Sequence, residues 1–246
     1  MLKRLFDIAA SGFGLVIFSP ILLPVMFLVW LHDKHSPFYI AERVGKDSRN
    51  FKMVKLRSMV LNADKTGVDS TGANDSRITG VGRFIRRYKL DELTQLWNVL
   101  KGDMSLVGPR PNVKRETDLY TSVELRLLSV KPGITDIASI VFSDEGDILK
   151  DYKDPDIAYN QLIRPGKSLL GLVYIENQSL QLDLRLCILT VLAVVSREKA
   201  LNMLQTVLQN LTVSDDILDI ASRKQSLVPR PPPGARQIVT SRLDNL

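Results

Sequence analysis

The longest feature of the hydropathy pattern is an uncharged run from Ile8 to Leu31, long enough on hydropathy alone to be a spanning helix. Two prolines interrupt it. Pro20 has no N–H for the carbonyl of Val16 and its ring crowds that carbonyl, while Pro24 repeats the defect one turn later. The helix is therefore expected to bend sharply around Ser19, whose hydroxyl can serve the freed carbonyl. Lys3 and Arg4 precede the run, and Lys34, Arg43, Lys46, Arg49, Lys52, Lys55 and Arg57 follow it, so both flanks ask to be cytoplasmic. A helix-break-helix hairpin satisfies both, each arm of about a dozen residues reaching about halfway into a hydrocarbon core of about 30 Å. A kinked spanning anchor is the alternative. A cleaved signal peptide fits poorly, because the run is too long and His32-Asp33-Lys34-His35 offers no small-residue cleavage site.

Shorter patterns follow. Phe38 to Val44 and Phe51 to Arg57 read as extended segments joined by the turn-rich Gly45 to Asn50, hence a hairpin. Lys55 and Arg57 share one face of the second strand and could aim two cations at a phosphate, or form a solvated edge. Thr66 to Ser76, rich in Gly, Asp, Ser and Thr, reads as a mobile loop and candidate lid. From Leu90, the positions Leu93, Leu96, Trp97 and Leu100 keep helical spacing with Asp91, Gln95 and Asn98 on the opposite stripe, and Gly102 stands where a C-cap glycine belongs. Leu169 to Ile175 reads as a buried strand and Leu180 to Val195 as an apolar helix too short and too charged to span, which could lie in the interface beside the hairpin or, as the safer reading, pack in the core. Glu198 to Leu211 reads as an amphipathic helix. From Asp215 the periodicity is lost, and Pro229 to Gly234 reads as part of a flexible or partner-binding tail.

The organisation this predicts is a membrane hairpin over residues 1–35, one compact domain over 36–211 and a tail over 212–246. A net charge of +6 and a pI near 9.4 suit an anionic partner such as phospholipid headgroups or a nucleotide diphosphate. Nucleic acid is disfavoured by the lack of an aromatic-interleaved basic stretch. Cys187 stands alone, which points to a reducing compartment. His32 and His35 are the only histidines and sit at the membrane exit, so carboxylates are left as the reactive groups of the domain. Asp91 and Glu92 fall in the first turn of a helix, where the peptide dipoles, with Arg86 and Arg87, favour their ionised forms. First-turn acids often do no more than complement the dipole.

What sets this pair apart is its company. Lys101 to Pro111 mounts Arg110 between two φ-restricted prolines, a stiff support for a planar, bidentate phosphate donor. Together with Lys3-Arg4-Leu5-Phe6-Asp7, Ser19-Pro20, Lys55-Leu56-Arg57-Ser58-Met59, Asp75 to Arg86, Leu90 to Pro111 and Lys131-Pro132-Gly133-Ile134-Thr135, it makes the chain closely resemble the bacterial sugar transferase family. These are monotopic phosphoglycosyl transferases that begin the assembly of surface polysaccharides and glycoconjugates, and the resemblance covers roughly the first two hundred residues.

The resemblance implies that Asp91 is a covalent nucleophile that attacks the β-phosphorus of a UDP-sugar and releases UMP. Polyprenyl (undecaprenyl) phosphate would then take the phosphosugar. Glu92, with Asp91, would hold Mg²⁺, Arg110 and Arg86 would clamp phosphate oxygens, and Lys55 and Arg57 would add charge there. The implied location is the cytoplasmic face of the bacterial inner membrane, monotopic among membrane lipids through a hairpin broken at Ser19-Pro20, with a homodimer left open. The implied fold is α/β mixed and irregular: a re-entrant membrane helix-break-helix, then a small cytosolic catalytic domain with surface amphipathic helices and a small antiparallel sheet. Thr94 departs from the family, which usually has proline there, as does Asp136 where glycine is common; Asp136 to Asp147 could shape a sugar pocket or form a surface loop. A membrane-tethered basic scaffold and a membrane-attached phosphohydrolase remain as alternatives.

Overall fold

The apolar N-terminal run forms one helix, α1 (Leu2–Asp33), in a computed structural model whose described residues are 1–63 and 75–241. Residues 66–74 of the expected lid lie outside the described residues. The break expected at Ser19-Pro20 is not an interruption of the helix, which continues through Pro20 and Pro24. Part of the reason is local: Ser19 Oγ donates to Val16 O at 2.7 Å, serving the carbonyl that Pro20 cannot. Among the described residues, α1 is the one helix long and apolar enough to cross a membrane. Asp7, Ser11, Leu22, Val25 and Val29 are buried along it, while Phe13, Val16, Ile17, Ile21, Leu23, Phe27 and Leu31 are exposed.

Both ends of α1 are fastened to the same body. Lys3 Nζ donates to Val107 O (3.1 Å) and pairs with the buried Asp183 (2.6 Å), and Asp7 Oδ1 accepts from Ser105 Oγ and Leu106 N–H. At the far end, Val25 and Val29 pack with Leu56, Ile85 and Leu90, and Asp33 receives both terminal nitrogens of Arg57.

The hairpin is as expected: β1 (Phe38–Val44) and β2 (Asn50–Leu56) pair antiparallel, with Tyr39 opposite Lys55. Next comes α2 (Gly80–Arg87), capped by the Thr79 hydroxyl, which accepts from Gly82 N–H. Gly82 lies so close to the loop after β2 that a Cβ would come within 1.8 Å of Ser58 O. α3 (Leu90–Leu93) and α4 (Leu96–Lys101) follow in a near-continuous helical path, ended by Gly102 at φ 98°. Its polar stripe is not the solvent face: Gln95 and Asn98 are buried at 2% and 1% exposure together with Leu96, and Trp97 is 57% exposed, with Asn98 finding backbone partners on β2.

A second, parallel pair is formed by β3 (Ser105–Val107) and β4 (Gly133–Thr135), with α5 (Lys114–Thr117) and a 3₁₀ stretch at Glu124–Ser129 between them. The remainder is helical: α6 (Ile137–Val141), α7 (Glu145–Leu149), α8 (Pro155–Ala158), a π turn at Tyr159–Ile163, α9 (Arg164–Glu176), α10 (Leu180–Val195), α11 (Arg197–Asn210) and α12 (Asp215–Ser222). The main core gathers Ile137, Val141, Ile163, Leu170, Leu186, Leu204 and Leu208.

Two expectations are corrected here. Leu169 to Ile175 is part of α9, not a strand; Leu170, Gly171, Leu172, Val173 and Tyr174 are all buried, and a helix covered all round shows no amphipathic period. Asp215 to Ser222, read as aperiodic, is a two-turn helix too short to display one. Beyond it, residues 223–241 lie against the domain: Arg230 N–H donates to Gln161 O (3.0 Å), Gln161 Nε2 donates to Val239 O (2.7 Å), and the Thr121 hydroxyl donates to Pro233 O.

Candidate active site

A cleft of about 590 Å³ opens over the hairpin and is lined by Lys55, Arg57, Arg86, Asp91 and Arg110. Asp91 reaches it from the first turn of α3, after Lys89 has turned the chain at φ 52°, and Glu92 stands next to it, bonded to the cleft-lining Arg110. Helix α3 is tied to β2 by polar residues on its buried side. Thr94 Oγ1 donates to Val54 O and to Asp91 O, both at 3.1 Å. One turn later Asn98 Oδ1 accepts from Val54 N–H (2.9 Å) and its Nδ2 donates to Lys52 O (2.7 Å). These bonds fix the register between the strand that carries Lys55 and the helix that carries Asp91. The two side chains stand 4.0 Å apart, Lys55 Nζ to Asp91 Oδ2.

Electrostatics divide the two carboxylates. Burial raises the pKa of Asp91 above the usual carboxylate range, against the pull of Lys55 and with a push from Glu92. Burial also acts on Glu92, but Arg110, Lys55 and Lys89 outweigh it and hold that carboxyl at about 2. Arg110 NH1 donates to Glu92 Oε1 at 2.9 Å, and Glu92 raises the arginine's own pKa. Burial, reinforced by Arg110, pushes Lys55 down to about 8. The outcome is a permanently ionised Glu92 locked to Arg110, beside an Asp91 whose charge depends on its cationic neighbours.

The sequence-derived residues therefore fall into two groups. Asp91, Glu92, Arg110, Lys55 and Arg86 converge, Arg86 lining the cleft close enough to help hold the Asp91 charge. Arg57 reaches the cleft wall but is committed elsewhere: its guanidinium binds Asp33, and Nε donates to Ser36 O at 2.9 Å. Its side chain joins the end of α1 to the hairpin, an assignment different from the phosphate contact expected of it. Ser19 and Pro20 lie in α1, away from the cleft lining.

Sequence reasoning missed most of the remaining lining. Arg43, Glu116, Glu145, Tyr159 and Lys167 also line the cleft, and of these only Glu145 falls in a stretch, Asp136 to Asp147, for which a pocket was expected. They come from β1, α5, α7, the π turn and α9, and no spacing within the chain connects them. Asp136, by contrast, caps α6 by accepting from Ser139 N–H (2.6 Å). Among the described residues no three His, Cys, Asp or Glu side chains converge into a metal cage. The donor set still fits Mg²⁺, which is commonly held by one or two carboxylates together with substrate phosphates and water; Asp91 and Glu92 would hold it.

Comparison with known proteins places the chain among relatives. A family profile described as bacterial sugar transferase matches residues 1–197. The chain is 33% identical over 214 residues to the UDP-galactose-lipid carrier transferase of Erwinia amylovora, covering 81% of this chain and 41% of the relative. It is 37% identical over 193 residues to the UDP-glucose:undecaprenyl-phosphate glucose-1-phosphate transferase of Klebsiella pneumoniae, covering 77% and 39%. The chain thus spans about two fifths of the length of those two relatives. It also matches the uncharacterized sugar transferase EpsL of Bacillus subtilis, at 35% identity over 217 residues, 88% of this chain and 98% of the relative. With its profile match extending from the first residue of α1 into α11, the chain belongs to the bacterial sugar transferase family.

Proposed function

We propose that this protein transfers a sugar-1-phosphate from a UDP-sugar to polyprenyl phosphate at the cytoplasmic face of the bacterial inner membrane, through a covalent phosphosugar–aspartyl intermediate. The observation that carries the reading is the cleft arrangement of Asp91 against Lys55, with Glu92 clamped by Arg110 alongside. The relatives named for UDP-galactose and UDP-glucose support the donor class.

An oxygen of Asp91 attacks the β-phosphorus, the bond from that phosphorus to the bridging oxygen breaks, and UMP leaves with the oxygen. An oxygen of polyprenyl phosphate then attacks the same phosphorus, and the acyl phosphate bond breaks to return the Asp91 carboxylate. Lys55 keeps Asp91 ionised, while Arg110 and Arg86 bind phosphate oxygens as charge moves. Mg²⁺, when bound, neutralises the diphosphate.

Tethering supports the membrane arrangement proposed here. A helix of about 48 Å, at about 1.5 Å per residue, spans a bilayer if straight across it, yet Lys3 and Asp33 at its two ends bind the same domain. Tethering of both ends to one domain supports a helix whose two ends stay on the same side of the bilayer, rather than one that crosses straight through it. The exposed apolar face of α10, Leu184, Ile188, Val191 and Val195, adjoins α1 through the Lys3–Asp183 pair and suits the interfacial region. The test is UMP release from UDP-sugars in detergent, with and without polyprenyl phosphate. Turnover that requires the lipid supports the transfer; continuous UMP release without it indicates a phosphohydrolase, and no release from any UDP-sugar refutes the assignment.

A further inference from the structure

Resting on the transferase reading above, we infer that Gln95 is a positioning residue for Asp91. Its side-chain amide donates to the Asp91 oxygen that stays free of phosphorus and eases departure of the carboxylate in the second displacement. Thr94, Gln95 and Asn98 are all buried where the α3–α4 path meets β2. Thr94 and Asn98 are engaged by the backbone of Val54 and Lys52. Gln95 is not: only 2% exposed, it lines the cleft with Asp91 and Lys55, and its Nε2 is buried with no hydrogen-bond partner among the described residues. Buried amides are nearly always paired, because an unpaired donor loses its bonds to water and gains none in return. Such a group destabilises the folded chain, and losses of this kind concentrate at functional sites.

The missing acceptor stands one turn back. Asp91 and Gln95 are joined by helical backbone, with Thr94 and Gln95 at φ −68° and −69°. At this i, i+4 spacing Cβ atoms lie about 5–6 Å apart and glutamine pairs with aspartate. The Asp91 carboxyl receives no hydrogen bond from a described residue, since Lys55 Nζ at 4.0 Å is beyond that reach. A carboxylate without a donor and an amide without an acceptor therefore share one stretch of the cleft. The charged groups that favour ionised Asp91 are Lys55, Arg110 and Arg86. A neutral amide orients an oxygen among them without adding to that charge.

The second displacement needs such a donor. In the loaded enzyme one Asp91 oxygen is bonded to phosphorus and the other is an acyl carbonyl. When polyprenyl phosphate attacks, the bond from phosphorus to Asp91 breaks and its electron pair returns to the carboxylate, so negative charge grows on both oxygens. The Gln95 N–H bond to the carbonyl oxygen strengthens as that charge grows, and the amide keeps its proton throughout. Loading runs the other way, because the carboxylate loses charge as it attacks. Removal of the donor therefore slows discharge of the adduct more than its formation.

The experiment uses the full chain in detergent with Mg²⁺ and either UDP-glucose or UDP-galactose. Intact mass spectrometry follows the rate at which the adduct forms and the rate at which undecaprenyl phosphate then removes it, for wild type, Gln95→Met and Gln95→Glu. Methionine keeps the length without a donor, and ionised glutamate keeps length and polarity but only accepts. Both variants should slow discharge by about tenfold more than they slow loading. Gln95→Met should unfold at a temperature equal to or above that of wild type, since it removes a buried donor that has no partner. Discharge at the wild-type rate, or equal slowing of both steps, overturns the role, and a clearly lower unfolding temperature in Gln95→Met makes the amide a structural one. These outcomes leave the transferase reading standing, because the wild type still loads. A wild type that forms no adduct from either donor defeats both.

Discussion

Arg110 illustrates how much a single side chain decides. It is mounted between Pro109 and Pro111, donates to Glu92, and lines the cleft wall beside Asp91, so a fork-shaped cation is presented to phosphate with little freedom to lose. Arg110→Lys keeps the charge without the fork and should lower kcat/KM for UMP release by about tenfold or more, about 1.4 kcal/mol of transition-state stabilisation; equal activity would reduce Arg110 to a diffuse charge. Lys55 makes a second prediction, in pH. As the proposed nucleophile Asp91 must be ionised, so activity should rise with pH as its elevated pKa is passed. Lys55 loses its charge above about 8, so activity then falls. In Lys55→Arg the alkaline limb should move up by at least about one pH unit, because guanidinium stays protonated, while the acid limb remains. A limb that stays near 8 would belong to another group. Asp91, Glu92 and Arg110 were legible in the sequence because a helix start and a Pro-Arg-Pro mount are local signals. Glu116, Tyr159 and Lys167 were not, since only the fold brings α5, the π turn and α9 to the cleft, whereas Glu145 falls in the Asp136 to Asp147 stretch read as a sugar pocket or a surface loop.

Among the elements, the junction of β2 with α3 and α4 sets the geometry of the site. Asn98 is 1% exposed and bridges the backbone of Val54 and Lys52. Asn98→Ala leaves a buried N–H and a carbonyl unpaired and should destabilise the protein by about 1–3 kcal/mol in denaturant unfolding, with a fall in kcat as Lys55 drifts from Asp91. A change below about 0.5 kcal/mol would mean that the strand does not depend on this amide. The hairpin, α10 and α11 were legible because alternation and helical spacing are displayed by half-buried elements. The stripe of Gln95 and Asn98 misled because periodicity reports which residues share a face but not whether that face meets solvent or a strand with open hydrogen-bonding groups. Helix α9 was hidden for the complementary reason, being apolar on every side.

For the molecule as a whole, the account joins topology to chemistry. Lys3 bonded to Asp183 and Asp33 bonded to Arg57 place both ends of α1 on the domain. With Cys187 replaced by serine, cysteines introduced at Leu2 and Ser36 should both resist an impermeant thiol reagent added outside intact inner membranes; labelling of only one would establish a through-span. Replacing Ser19 and Pro20 by leucines removes the proline defect and should push α1 toward spanning, at the expense of activity. The step proposed at the centre of this arrangement is the loading of a phosphosugar onto Asp91. The most direct measurement is intact mass spectrometry of the protein quenched after incubation with a UDP-sugar and Mg²⁺ in the absence of polyprenyl phosphate. The account predicts an added mass of one sugar phosphate on the wild type, lost on addition of polyprenyl phosphate and absent from Asp91→Asn. An unmodified wild type that nevertheless transfers phosphosugar to the lipid, or an adduct that persists in Asp91→Asn, would contradict it.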